Sequence, residues 1–383
     1  MTNDTFCIYG FEVVEELKGK NVTSSDELAW PCGLRIFWVD FLPFVTLARG
    51  LLSYGTSIIV AVGILLNTLT LLVLTRKNMC KSPTNLYLSA LTIYDTLTLT
   101  VNLMVGVLRG QNESVNELFQ RNEGLCMFHG VVVELFNLLS VWIIVAFTCD
   151  RLFIIKFPLR ARKASRRNAF AAVTLVSGIL VLISLHKIAV SGFEDDSVFG
   201  YKACKTRQEI VKEIIYFYVA LNTWIPTILI VAINIVLILE IKKGKNNRQK
   251  MTNSSISRPS DRLTKILLLI STTYVLLVLP LGIVQTIELV WNSIQNFIPG
   301  EKGYEGFMIT KIKLKWIRAF FFFFYQLNFA INFFLYVTSS STGQFRANLK
   351  KMLGMKTKNV IASPRFSRAV SNRQCDENEV SRV

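Results

Sequence analysis

The sequence predicts an all-α membrane protein, a bundle of seven spanning helices. Three observations predict it: 51% of the 383 residues are hydrophobic against 18% charged, the mean hydropathy is +0.41, and the apolar residues gather in long uncharged runs separated by basic loops. That apolar content exceeds what a single soluble core of this length needs.

The uncharged runs lie at 50–75, 168–186, 214–239, 266–287 and 319–345, and two more carry one acid each, 82–108 with Asp95 and 124–149 with Glu134. Each reaches or approaches the roughly 20 residues that carry an α-helix across about 30 Å of hydrocarbon. Gly63, Pro226, Pro280 and Gly282 fall inside these runs. Such residues break strands but are tolerated in membrane helices, whose neighbours re-satisfy the backbone. The expected division is an extracellular N-terminal segment over 1–50, the bundle over 51–341, a short amphipathic eighth helix over 342–353 and a disordered cytoplasmic tail over 354–383.

Orientation follows from the loops. The segments 75–82, 152–168 and 241–265 plus the tail from 342 hold 26 basic and 4 acidic residues, whereas 1–50, 108–125, 187–213 and 288–318 hold 16 basic and 18 acidic. The positive-inside rule puts the first group in the cytoplasm, so the expectation is a multi-pass plasma-membrane protein with its N-terminus outside and C-terminus inside. The net charge of +17 would suggest a nucleic-acid partner in a soluble protein. Confined to short loops beside membrane lipid, it reports topology, and no nucleic-acid partner is expected. Residues 1–30 hold no basic start followed by an apolar core, so the first span is expected to act as its own signal anchor. Sequons at Asn3, Asn21 and Asn112 fall outside, where glycosylation is available, and one at Asn253 falls inside.

Of the seven cysteines, Cys7, Cys32, Cys126 and Cys204 lie on the outer side and Cys80, Cys149 and Cys375 on the inner. An even outer set in an oxidising space suggests two disulfides. Cys126 bonded to Cys204 would pin the second outer loop over the mouth of the bundle and leave Cys7 to Cys32; free or differently paired thiols are the alternative. The chain has no C-x-x-C, two histidines (His129 and His186), and no G-x-x-x-x-G-K, H-E-x-x-H or G-x-S-x-G. No enzyme chemistry and no metal centre are expected.

Ionisable groups inside a span are costly and point to function. Asp95 lies mid-span with Asn67, Ser140, Asn328 and Asn332 at similar depth; these oxygens suit a sodium ion, no other cofactor being expected, or else a purely structural hydrogen-bonded carboxylate. Asp150 and Arg151 end the third span, roughly 37 Å along the helix from Cys126, where an acid–base pair closes on itself or releases the arginine to a partner; an ordinary snorkelling charge is the alternative. Glu134 sits two turns below Cys126, within reach of a cationic ligand group from outside, or of an internal partner such as His186 or Lys187. Pro226 and Pro280 delete backbone hydrogen bonds and are expected to kink the fifth and sixth spans.

Together these residues resemble the rhodopsin-like G-protein-coupled receptors, over nearly all of 50–353. Asn67 resembles the family's first-helix asparagine, Asp95 its sodium-site aspartate, and Cys126 with Cys204 its disulfide. Asp150-Arg151-Leu152 resembles D-R-Y, Pro226 and Pro280 the prolines of helices five and six, and Asn332-Phe-Phe-Leu-Tyr336 resembles N-P-x-x-Y. Gln344-Phe345-Arg346 opens a segment like the eighth helix, with Phe345, Leu349, Met352 and Leu353 on one apolar stripe. The chain departs in lacking a tryptophan two residues before Pro280, in having Phe333 for the seventh-helix proline and Asn234 for the fifth-helix tyrosine, and in lacking a fourth-span tryptophan.

The resemblance implies an extracellular ligand, a heterotrimeric G protein engaged through Asp150, Arg151 and Tyr336, arrestin recruited by phosphorylated Ser and Thr of the third inner loop and tail, and contact with membrane lipid. Val133 stands where amine receptors carry aspartate, and 319–345 has no lysine for a retinal Schiff base. The stretches 74–91 and 327–336 are similar to invertebrate FMRFamide-type neuropeptide receptors, which implies a short amidated peptide. Glu134, Gln285, Glu288, Phe322 and Gln326 are the candidate ligand contacts, with Glu134 or Glu288 pairing a basic peptide side chain. The run Phe320–Tyr325 is otherwise expected to pack helices and meet lipid. A transporter would show internal repeats, and none is read here; a receptor-shaped scaffold is the other alternative.

Overall fold

The computed structural model describes residues 32–76, 79, 82–157, 166–196, 201–206, 216–252, 259–294, 302–338 and 343–355. Among them, six helices are long and apolar enough to cross a membrane, Cys32–Leu74, Pro83–Arg109, Glu123–Lys156, Arg166–Ile188, Tyr216–Gly244 and Ile266–Ser293. A seventh span joins Tyr304–Leu327 to Asn332–Thr338 at 49°. The result is a seven-span all-α bundle.

Its surface is inverted relative to that of a soluble protein. Leu65, Leu175, Ile228 and Leu276 face outward, while Asn67, Asp95, Ser140 and Asn332 are buried between helices. Lipid is as apolar as leucine, so polar contacts and close packing hold such a bundle together. Several hydroxyls within the spans are satisfied by the preceding turn: Thr70, Thr92 and Thr148 each donate to the carbonyl four residues back, at 2.8, 2.8 and 2.6 Å.

The third span is the central one, packing against the second, fourth and fifth. Asn122 caps its start, accepting from Leu125 N at 3.0 Å, and Asn112 caps the short helix Glu113–Arg121 before it. Beside the third span sits an antiparallel hairpin, β1 (Ser191–Asp196) and β2 (Tyr201–Thr206), with Phe193 opposite Cys204.

The first span departs from expectation. Its 43 residues reach about 64 Å, twice the hydrocarbon thickness, and Cys32–Gly50, read above as part of an N-terminal segment, is helical and continuous with it through a widened turn at Leu51–Gly55. The seventh span likewise begins at Tyr304 instead of 319. The two extensions pair, Leu34, Trp38 and Val45 packing on Ile312, as a stalk standing beyond the apolar layer. Charges at Arg49 and Lys311–Arg318 end the uncharged runs without ending the helices, because a helix in water needs one apolar stripe and not an apolar circumference.

Gly343–Met352 forms the expected short eighth helix. Phe345 and Leu349 are buried, but Leu353 is exposed, one residue beyond the helix and off the apolar stripe assigned to it. Arg346 Nε and Nη2 donate to the Val337 and Thr338 carbonyls at 2.6 and 3.1 Å, closing the end of the seventh span.

Gly63 sets the approach of three spans: a Cβ there would lie 2.7 Å from Leu99 Cδ1 and 3.0 Å from Ala330 Cβ. Gly63→Val is therefore expected to cost about 1–3 kcal/mol by overpacking, read as a lower melting midpoint of purified protein. Gly178→Ala, where a Cβ meets nothing within 4 Å, should leave the midpoint unchanged or higher.

Candidate functional site

Asp95, Ser140 and Asn332 converge at the centre. Asp95 is fully buried; Ser140 Oγ of the third span donates to its Oδ1 and Asn332 Nδ2 of the seventh to its Oδ2, both at 2.5 Å. Asn67 reaches the seventh span a turn away, where its Nδ2 donates to the Phe329 carbonyl at 2.9 Å. That oxygen is the acceptor Phe333 N–H would use in an unbroken helix. The chain here tightens instead, Asn328, Phe329 and Ala330 donating three residues back to Tyr325, Gln326 and Leu327. The seventh span thus bends with no proline at this point of the chain, and Asn328 sits buried in the bend.

Glu134 already has partners in this chain. Lys187 Nζ lies 3.3 Å from Oε2 and His186 Nδ1 3.6 Å from Oε1, and the carboxylate is 3% exposed. Glu288 is paired to Arg318 of the seventh span. Of the five candidate ligand contacts, Phe322 and Gln326 lie together, lining a cavity of about 540 Å³ between the first, second and seventh spans with Arg49, Thr56, Leu103 and Trp316. Glu134, Gln285 and Glu288 are not among its lining residues. The rest of the run Phe320–Tyr325 packs ring on ring, Phe320 on Phe44 and Phe324, and Tyr325 on Phe329.

At the opposite end Arg151 is turned back on its neighbour. Its Nε and Nη2 donate to Asp150 Oδ2 at 3.1 and 2.5 Å, and its guanidinium lies 5.4 Å from the Phe147 ring, itself stacked on Tyr87. Tyr336 is buried near this end, its ring 5.9 Å from that of Phe345.

Sequence reasoning missed a ladder between the fifth and sixth spans. Asn234 Nδ2 donates to Ser271 Oγ at 2.8 Å, Tyr274 OH to the Asn222 carbonyl at 3.2 Å, and Trp224 Nε1 to Thr286 Oγ1 at 2.9 Å. Trp142 Nε1 of the third span reaches the Leu221 carbonyl at 3.1 Å. The widened turn Ala220–Trp224 just before Pro226 presents both carbonyls. Pro280 lies in a helix unbroken from Pro259 to Ile294. The available signal was the presence of tyrosine and tryptophan at membrane depth, whose O–H and N–H need partners when buried.

Cys32 and Cys126 are both disulfide-bonded. Cys7 lies outside the described residues, as do Asn3 and Asn21, and Cys204 is described in its backbone alone. Asn112 is exposed, its side chain capping the helix that follows at Val115 N.

Seven spans around a buried acid, with an arginine–aspartate pair at one end, define a serpentine membrane receptor. The chain belongs to the serpentine type 7TM GPCR chemoreceptor Srw family, whose model matches residues 54–356. It is also similar to a GQ-coupled rhodopsin of Mizuhopecten yessoensis, 23% identical over 273 residues, covering 66% of this chain and 53% of that protein. Neuromedin-U receptor 2 of Homo sapiens is 28% identical over 258 residues, 63% of this chain and 57% of that one. The chain spans about half the length of the curated relatives it matches.

The Glu134–Lys187 pair yields a test of its own. Glu134→Gln and Lys187→Met each strand a buried charge and should each cost about 3 kcal/mol or more, whereas the double variant leaves none stranded. Melting midpoints in detergent are expected to place the double variant above both singles; additive losses would show that the pair is not coupled.

Proposed function

We propose that the protein is a rhodopsin-like G-protein-coupled receptor of the plasma membrane, with its N-terminus outside, which binds a ligand at the Cys126 end and a heterotrimeric G protein at the Arg151 end. The observation that carries this reading is Asp95 held at once by the second, third and seventh spans, midway between the two ends. A ligand that prefers one packing of these helices shifts the same equilibrium that exposes Arg151, and the coupling is reciprocal. In the arrangement described here Arg151 is bound to Asp150 and the fifth and sixth spans are laced together by Asn234 and Ser271. Opening the inner end requires both contacts to part.

The ligand we propose is a short amidated peptide of FMRFamide type. The likeness of 74–91 and 327–336 to such receptors supports this, as does the similarity to proteins named neuromedin-U receptors. Since Glu134 and Glu288 already hold Lys187 and Arg318, a basic peptide side chain binds either acid by exchange, releasing a cation of the bundle. Gln285, Phe322 and Gln326 supply further contacts. The bonded state of Cys32 and Cys126 supports pairing with Cys7 and Cys204, and phosphorylation of the inner loop and tail would recruit arrestin.

Calcium responses to a library of short amidated peptides, in cells carrying a promiscuous G protein, test the reading. A dose-dependent response abolished by Arg151→Ala at unchanged surface expression is expected, with Glu134→Gln raising the half-maximal concentration roughly tenfold or more. Silence from wild-type protein at the surface would refute the peptide assignment.

A sodium ion at Asp95 is the second proposal, each carboxylate oxygen keeping a lone pair beyond its one hydrogen bond. Sodium chloride should raise the melting midpoint of the purified protein above that in equimolar choline chloride, and Asp95→Asn should abolish the difference. Equal midpoints for wild type would leave Asp95 a structural hydrogen-bond acceptor.

A further inference from the structure

The stalk itself is basic. Residues 32–50 and 302–318 hold seven lysines and arginines against Asp40 and Glu305. Two acids nearby, the buried Glu134 and the half-buried Glu288, are each matched by a cation. Arg49 is different: exposed at the mouth of the 540 Å³ cavity, its guanidinium lies 5.0 Å from the Trp316 ring and meets no carboxylate among the described residues. The charge left unmatched at the cavity is positive.

Deeper in the same cavity, Thr56 Oγ1 and Gln326 Oε1 are buried and have no hydrogen-bond partner among the described residues. Buried polar atoms are almost always bonded, so two lining one cavity call for a polar group that comes from outside the chain. Between floor and mouth the walls are apolar, Leu52, Leu103, Val107 and Phe322. On the second-span side Gly106 leaves room, a Cβ there meeting nothing within 4 Å. The volume falls within the range of about 300–1,000 Å³ usual for small-molecule sites.

We propose that this cavity binds an amphiphilic carboxylate: the anion at Arg49, an aliphatic or aromatic body between the apolar walls, and a hydroxyl at the far end donating to Gln326 Oε1 and accepting from Thr56 Oγ1. A single guanidinium fork matches the two oxygens and the one charge of a carboxylate, where a phosphate dianion would need a second cation. Phe322 and Gln326 are shared with the proposed peptide contacts, so peptide and carboxylate would compete at this cavity, but binding of the carboxylate requires neither the peptide nor the G protein and is tested without them. Its ligand is water-borne or lipid-borne, the recognising chemistry being the same.

Full-length protein in phosphatidylcholine nanodiscs, melted with 4-(4-hydroxyphenyl)butyric acid, its methyl ester or 12-hydroxydodecanoic acid, tests this. A saturating acid is expected to raise the midpoint by on the order of 3 °C, and the ester to do nothing. Response to the short acid identifies a soluble ligand class, and response to the long acid alone a membrane-borne one. Arg49→Gln should abolish the shift and Arg49→Lys retain part of it, while Gln326→Leu weakens the apparent affinity roughly tenfold. Gly106→Leu fills the cavity and should also abolish the shift, which keeps the test open if Arg49→Gln does not fold. Equal shifts from acid and ester, a shift surviving in Arg49→Gln or Gly106→Leu, or no shift with either acid overturns the proposal.

Discussion

A carboxylate with no access to solvent, in a bundle surrounded by apolar surface, is the constraint on which the rest of this structure depends. Asp95 is tolerable at the centre because donors from two other spans reach it, and unmatched it would be among the most costly groups in the protein. Meeting that need fixes the rotation of the second, third and seventh spans about their axes. It also fixes the depth of the seventh, whose bend brings Asn332 to the carboxylate. Asn67 holds the bend through a backbone carbonyl, so the first span is tied to the same centre without touching the acid.

Small residues allow that centre to close. Gly63 lies against Leu99 and Ala330, at the level where the first span must come near enough for Asn67 to reach Phe329. Without a hydrophobic drive between helices in lipid, such close approach and the few interhelical hydrogen bonds carry the cohesion. The fifth and sixth spans share little of this centre and are joined instead by their own ladder at Asn222, Asn234 and Trp224. Among the described residues one polar system fastens the first, second, third and seventh spans and another the fifth to the sixth, Trp142 reaching from the third span to the fifth at Leu221, beside the separate pairing of Glu134 with Lys187.

Much of this was legible in the sequence. Spans appear because lipid demands about 20 apolar residues per crossing, and an acid within such a run stands out, so Asp95, Glu134 and the Asp150–Arg151 pair were identifiable by residue type alone. The helix ends were not: a charge ends an apolar run but not a helix, and the stalk of Cys32–Gly50 with Tyr304–Trp316 went unread. The β hairpin was equally hidden, since its strands, SGFEDD and YKACKT, lack a regular alternation of apolar and polar residues. Which partner an acid takes was also open, because Lys187 lies 53 positions from Glu134 and only the packing of the fourth span on the third brings them together.

The departures from rhodopsin-like motifs acquire a physical meaning once those partners are known. Phe333 stands where the rhodopsin-like pattern has a proline, a residue that leaves a carbonyl unbonded; here a side chain, Asn67, occupies the corresponding carbonyl of Phe329 and the span bends. Asn234, where the rhodopsin-like pattern has a tyrosine, bonds Ser271 directly, so the fifth and sixth spans are joined by a short amide and a hydroxyl. A bend made by hydrogen bonds can straighten when those bonds exchange, whereas a proline bend is built into the covalent chain. The seventh span of this protein thus owes its shape to the same polar centre that joins it to the second and third spans, and a change in how the first and second spans pack against it bears directly on that shape.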